Sequence, residues 1–154
     1  MTSRERIDDF LRQKRVAIAG VSRQPRDFTR MMFNEFVRRG YDVVPVNPSA
    51  GEIDGHKCFA RLQEISPPVD GVLVMTKPTA AEAVVQDCAE AGVKRVWLYR
   101  ATGAGAVSRK AVELCEARSI DVIAGGCPFM FWADSSFFHR IHGVFAKLTG
   151  SYPR

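Results

Sequence analysis

Five short apolar runs punctuate the chain, separated by stretches in which apolar side chains recur every three or four residues. The runs are Arg15–Ala19, Asp42–Val46, Gly71–Met75, Arg95–Leu98 and Asp121–Ala124. Each is rich in Val, Ile or Leu and lacks polar alternation, which predicts strands buried on both faces of a parallel sheet. Between them, Phe28–Arg39 places Met32, Phe33, Phe36 and Val37 at helical spacing, and Gly40 is suited to end that helix. Thr79–Ala91 carries Ala81, Val84, Val85 and Cys88 on one stripe, with Gly92 as its stop. Ala106–Arg118 carries Val107, Ala111, Leu114 and Cys115 on another. A short helix is predicted over Ala60–Ile65, ended by Ser66-Pro67-Pro68, with terminal helices over Ser3–Gln13 and Ser136–Leu148. Asn47–Cys58 reads as a loop, with Asn47-Pro48 and Asp54-Gly55 as turn signals.

The alternation of strand and helix predicts a doubly wound α/β fold: a mostly parallel five-stranded sheet, helices on both faces and right-handed crossovers. Length agrees with one domain over residues 1–154, with an N-terminal helix at 3–13 and a helical extension at 129–154. A domain of this size buries roughly 68–70% of the surface its unfolded chain exposes, so it needs neither disulfide nor metal to hold a core.

Composition narrows the function classes. The start of the chain, Met1-Thr2-Ser3-Arg4-Glu5-Arg6, leads into no long apolar stretch, so no signal peptide is predicted. No run approaches the about 20 residues of a membrane span, and a cytoplasmic location is expected. None of Cys58, Cys88, Cys115 and Cys127 forms a CxxC pair, which gives no sign of a zinc ribbon or dithiol site. Cys88 and Cys115 fall on apolar helical stripes and read as reduced core residues. The net charge of +5 favours an anionic partner. Its arginines and lysines are scattered, and no nucleic-acid-binding motif accompanies them.

In a sheet of this kind a ligand binds beyond the carboxyl ends of the strands, where the strand order reverses. The first loop there is Gly20-Val21-Ser22-Arg23-Gln24-Pro25. Gly20 permits close backbone approach, Ser22 offers a hydroxyl, and Arg23 or Arg26 can add charge-assisted hydrogen bonds to a phosphate. Free N–H groups at the start of the following helix also attract an anion. The plain alternative is a tight turn with solvated arginines. The second loop begins Asn47-Pro48, without the acidic residue that holds the ribose of NAD. That neutral corner and the missing GxGxxG argue against NAD and suit an adenosine with a phosphorylated ribose. In the third loop Thr76 is the better capping type, Lys77 can serve phosphate as a point charge, and Pro78 is acceptable at the first helical position.

Taken together, Val16-Ala17-Ile18-Ala19-Gly20-Val21-Ser22, Gly40-Tyr41-Asp42-Val43-Val44-Pro45-Val46-Asn47-Pro48, Val69-Asp70-Gly71 and Val96-Trp97-Leu98 resemble the CoA-binding domain family. This is the Rossmann-like domain related to the N-terminal part of the succinyl-CoA ligase alpha subunit. The resemblance runs from about Lys14 to about Pro128. It implies that Gly20 and Ser22 face the pyrophosphate of coenzyme A, that Asn47 and Pro48 border the adenosine and its 3′-phosphate, and that Thr76, Lys77 and Pro78 border the adenine and ribose. Tyr99 and Arg100 would lie near the pantetheine path. The ligase pattern carries a lysine shortly after the strand-two proline, where this chain has Ser49-Ala50. The 3′-phosphate is then left to Lys77, Arg23 or Arg26. The ligase's phosphohistidine lies in a further domain that has no counterpart in this sequence, so the resemblance implies binding of coenzyme A or an acyl-CoA, not ligation. The alternatives are a small NADP(H)-binding module, whose 2′-phosphate the basic loop residues would take, and a regulatory partner protein with a vestigial pocket.

The segment Cys127-Pro128-Phe129-Met130-Phe131-Trp132 resembles the tail of one branch of these small proteins. Cys127 reads as a buried structural cysteine, the alternative being a thiol that meets the ligand. With Phe137 and Phe138, the aromatic cluster reads as core packing or as a contact in a homodimer. His139 and His142, with Asp134, make a weak metal signal, because a firm third ligand is missing.

Overall fold

The computed structural model of the chain describes residues 1–132. The elements run α1 (Ser3–Leu11), β1 (Arg15–Ala19), α2 (Phe28–Arg38), β2 (Asp42–Val46), β3 (Glu52–Ile53), β4 (His56–Lys57), β5 (Gly71–Val74), α3 (Pro78–Glu90), β6 (Arg95–Leu98), α4 (Arg109–Ala117) and β7 (Asp121–Ala124). Single 3-10 turns at Leu62–Glu64 and Pro128–Met130 complete them. The predicted helix over Ser136–Leu148, and His139, His142 and Asp134 with it, lie outside the described residues.

Five strands pair in parallel in the order β2-β1-β5-β6-β7, the doubly wound arrangement expected from the sequence. The side-chain period of two sorts each strand onto two cores. Ala17, Ala19, Val72, Val74, Val96 and Leu98 meet α3 and α4 through Ala81, Val85, Cys88, Ala111 and Cys115. On the other face Val16, Ile18, Leu73, Trp97 and Ile123 meet α1 and α2 through Ile7, Phe10, Met32, Phe33 and Phe36. Trp97 is fully buried, its ring edge-on to Phe10 at 5.5 Å and its Nε1–H donating to Gly125 O at 3.0 Å. Each such large side chain contributes about 1.5–3 kcal/mol through burial.

Several boundaries differ from the sequence reading for local reasons. Val37 is 37% exposed, because the buried stripe of α2 is Met32, Phe33 and Phe36, joined by Arg30. Over Ala60–Ile65 only Leu62–Glu64 is helical, and as a 3-10 turn. Lys77, not Thr76, occupies the N-cap of α3, with Pro78 at its first position. The expected loop between Asn47 and Cys58 contains the antiparallel pair β3–β4. Asp54 and Gly55 both take positive φ, +48° and +79°, which is the geometry of a tight two-residue hairpin. Phe59 then rejoins the sheet beside Val46, so the residues after it run along the carboxyl end of β2.

Phe129 is fully buried, and Phe131 and Trp132 pack on Trp97 and Phe36 at ring distances of 5.9 and 5.1 Å. Of the two readings of the aromatic cluster, core packing holds for these residues; Phe137 and Phe138 lie outside the described residues. Among the described residues no helix is long and apolar enough to cross a membrane, and no group of three metal-ligating side chains is found.

Candidate functional site

The sheet order reverses at β1, which sends the chain first to β2 on one side and then to β5 on the other. Gly20 sits at that divide. Its N–H donates to Val46 O at 2.9 Å, while Ala19 O accepts from Met75 N–H at 2.8 Å, so backbone from both neighbours closes on it. Its φ is +96°, and a Cβ there would lie 2.6 Å from Met75 O. Only glycine fits.

The loop after Gly20 is tied from several sides. Ser22 N–H donates to Thr29 Oγ1 at 2.8 Å, and Ser22 Oγ accepts from Gln24 N–H at 3.0 Å. Asn47 brackets two loops: its Nδ2 donates to Val21 O and its Oδ1 accepts from Ser49 N–H, both at 2.8 Å. Val21 itself is fully buried. Arg23 and Arg26 stand exposed on the loop. The expected free N-terminus of α2 is already occupied: Asp27 accepts from Thr29 N–H at 2.8 Å and from Thr29 Oγ1–H at 2.7 Å. A carboxylate there supplies the negative charge that a helix N-terminus attracts. By contrast α3, beginning at Pro78 behind Lys77, has no side-chain cap.

Between these loops lies a groove of about 500 Å³, in the size range of small-molecule sites. Gly20, Pro48 and Thr76, each from a different loop, meet in its lining. Ala19 and Val46 floor it from β1 and β2. One wall is a face of α3 formed by Ala80, Ala83, Val84 and Asp87, and the other is Ala60, Arg61 and Leu62. The lining is mostly methyl groups. Its charged members are Arg61 and Asp87, joined at 2.8 Å. Burial pushes the Asp87 carboxyl up, but hydrogen bonds from Arg61 and Gln63 and the Arg61 charge outweigh it, holding the group below its ordinary 3.8.

Lys77, Pro78, Ser22, Arg23, Arg26 and Asn47 do not line the groove, and Arg26 instead borders a surface depression with Asp27 and with Met31, Glu35 and Arg38 of α2. Tyr99 and Arg100 lie beyond β6, on the other side of β5 from β1. The Tyr99 ring packs on Phe28 at 5.8 Å, and its hydroxyl pairs with the Cys127 thiol; burial raises both groups, Cys127 to about 12. Cys127 is fully buried, which makes it a structural cysteine. Arg100 N–H donates to Gly126 O at 3.2 Å.

Three features escaped the sequence reading. Arg30, 6% exposed, donates to Ser22 O and Arg23 O at 3.3 and 3.1 Å and pairs with Asp54 at 2.6 Å. It thereby joins the first loop to the β3–β4 hairpin, and nothing in its spacing sets it apart from the other arginines. Ala80, Ala83, Val84 and Asp87 recur at i, i+3, i+4 and i+7, a second stripe beside the core stripe. Val84 serves both stripes: it is half-buried against the core and also lines the groove. Arg61 reaches the groove because Phe59 pairs with β2, a contact no local pattern announces.

Known proteins share this architecture. A hypothetical protein from Pyrococcus horikoshii superposes with a TM-score of 0.75 at 25% identity, over 83% of this chain and 87% of that one. The Bacillus subtilis protein YneT is 29% identical over 126 residues, 81% of this chain and 90% of its own length. The alpha subunit of the ADP-forming acetate–CoA ligase II of Pyrococcus furiosus is 27% identical over 96 residues, 62% of this chain but 21% of that subunit. The sequence profile of the CoA binding domain matches residues 14–133, from the strand before Gly20 through all five loops at the carboxyl ends of the strands, and the chain therefore belongs to the CoA binding domain family.

Proposed function

We propose that this protein binds coenzyme A or an acyl-CoA in the groove at the sheet's switch point, as a carrier or sensing module without chemistry of its own. The observation that carries the reading is the meeting of Gly20, Pro48 and Thr76 from three separate loops in one apolar groove. A flat heteroaromatic base gains most from such a site, because methyl-lined walls remove its faces from water at little polar cost. Gly20 lets the diphosphate approach the backbone, and the uncapped N–H groups of α3 lie beside Thr76 at the same end. Lys77 beside Thr76, and Arg23 and Arg26 exposed on the first loop, are the positive charges offered in place of the lysine that Ser49-Ala50 lack. Ser22 and Asn47 act chiefly by holding the loops, since their polar atoms are engaged within them. The pantetheine arm leaves toward the sheet end where Tyr99 and Arg100 stand.

Isothermal titration with coenzyme A tests the reading, with dephospho-CoA measuring the contribution of the 3′-phosphate. NADPH in competition separates the nicotinamide alternative. The expected result is saturable binding of coenzyme A, weaker binding of dephospho-CoA and no displacement by NADPH. The absence of heat and of any thermal shift at millimolar coenzyme A would overturn it.

A further inference from the structure

Two consecutive residues of α2 hold the first loop. Thr29 Oγ1 accepts from Ser22 N–H at 2.8 Å, and Arg30 Nη1 donates to Ser22 O at 3.3 Å and to Arg23 O at 3.1 Å. Gln24 N–H is taken by Ser22 Oγ at 3.0 Å. The Arg30 side chain is buried, and its Nη2 pairs with Asp54, in the turn of the β3–β4 hairpin, at 2.6 Å. Its Nε has no hydrogen-bond partner among the described residues. Burying a guanidinium with one donor unsatisfied costs stability, so cohesion alone is a poor reason for an arginine here.

A trans peptide sets its C=O and its N–H on opposite sides. Because Ser22 O turns toward Arg30, the Arg23 N–H of the same peptide turns away from it. That N–H has no partner among the described residues. Helix α2 packs on one face of the sheet, and the groove opens against α3 on the other. The Arg23 N–H is thus turned from α2 toward the side of the groove. A backbone donor facing a phosphate oxygen makes a charge-assisted hydrogen bond, roughly twice as strong as a neutral one. We propose that Arg30 is a positioning residue: by holding the Ser22 and Arg23 carbonyls, it aims the Arg23 N–H at the diphosphate of a ligand that leaves the groove past Gly20. Arg30 itself touches no ligand, since its guanidinium is engaged by the two carbonyls and Asp54. The inference rests on the coenzyme A reading of the groove.

The test compares ADP with adenosine, the adenine-bearing fragments of coenzyme A with and without the diphosphate, by NMR titration of the full isotopically labelled chain. In the wild type, ADP is expected to bind at least about tenfold more tightly than adenosine. It is also expected to move the Arg23 amide proton downfield, which adenosine leaves in place. In Arg30→Met the preference for ADP is expected to fall to within about threefold, while adenosine binds as it does to the wild type. Arg30→Lys keeps the charge but loses the fork that reaches two carbonyls and a carboxylate together, and its preference is expected to fall likewise. A purely structural role would weaken both ligands together and leave the preference intact. A general effect of charge would restore the preference in Arg30→Lys. Either result overturns the proposal. So does an Arg23 amide unmoved by saturating ADP in the wild type, a result that needs no variant to fold. Binding of coenzyme A with that amide unmoved leaves the coenzyme A reading standing, whereas failure of coenzyme A to bind removes both.

Discussion

Replacing Gly20 by alanine separates two costs that the structure places on one residue. The first is conformational: φ is +96°, and the left-handed region costs an L-residue about 1–2 kcal/mol. The second is steric. The new Cβ would stand 2.6 Å from Met75 O and 3.0 Å from Met75 C and Thr76 Cγ2, two of them backbone atoms held by the β1–β5 pairing. Overpacking of this kind costs about 1–3 kcal/mol. Gly40 supplies the control. It follows α2 with φ of +90°, and nothing lies within 4 Å of its imagined Cβ, so Gly40→Ala meets the first cost alone. At about 2–4 °C per kcal/mol for a domain of this size, Gly40→Ala should lower Tm by about 2–8 °C and Gly20→Ala by about 4–20 °C. Differential scanning fluorimetry of the two variants beside the wild type gives the comparison directly. Because Met75 and Thr76 must give way, Gly20→Ala should also lose coenzyme A affinity, while Gly40→Ala keeps it. Equal Tm losses in the two variants would refute the close-approach argument, and unchanged ligand affinity in Gly20→Ala would detach Gly20 from the groove.

Filling the groove by Ala83→Trp, at an exposed position of α3, should weaken coenzyme A by at least about tenfold while shifting stability by only about 0.5 kcal/mol; titration at wild-type affinity would show that the ligand sits elsewhere. All four cysteines are buried, and burial raises Cys58, Cys88, Cys115 and Cys127, so a thiol-disulfide reagent should find no fast-reacting group in the native protein and four after denaturation. One rapid equivalent at Cys127 would reverse its assignment as structural. The Arg38 hydrogen bond holds the Glu35 carboxyl below 4.5, against burial and with help from Arg39. A depressed carboxyl adds stability above its unfolded-state value and loses it as pH falls through the folded one. The Tm gap between wild type and Glu35→Gln should thus be full at neutral pH and close below pH 4.5, and a gap independent of pH would contradict it.

The strands were legible because a parallel sheet leaves no alternation: Val16–Ala19 and Val72–Val74 are buried on both faces and read as continuous apolar runs. The helices followed from their stripes, and Gly40, Pro78 and the Asp54-Gly55 turn fell where local chemistry puts them. The rim loops followed in turn, since topology alone locates them. The groove's interior was not legible. Arg61 arrives there through the pairing of Phe59 with β2, a contact between segments whose spacing has no period. Arg30 is buried by its bonds to the Ser22 and Arg23 carbonyls and to Asp54, and a buried arginine has the same sequence signature as a solvated one. Asp27 caps α2 itself, so the N–H groups at that helix end are engaged by a side chain of the chain and not left for a phosphate.

The central claim is that ligand binding occurs where β1 diverges toward β2 and β5. Chemical-shift mapping of the isotopically labelled chain during addition of coenzyme A tests it most directly. The account predicts perturbed amides at Gly20–Ser22, around Ser49, at Ala60–Leu62 and from Thr76 to Val84, with Leu11–Lys14 and Arg39–Tyr41, at the amino ends of β1 and β2, unmoved. Shifts confined to those amino ends, or none at saturating ligand, would contradict it.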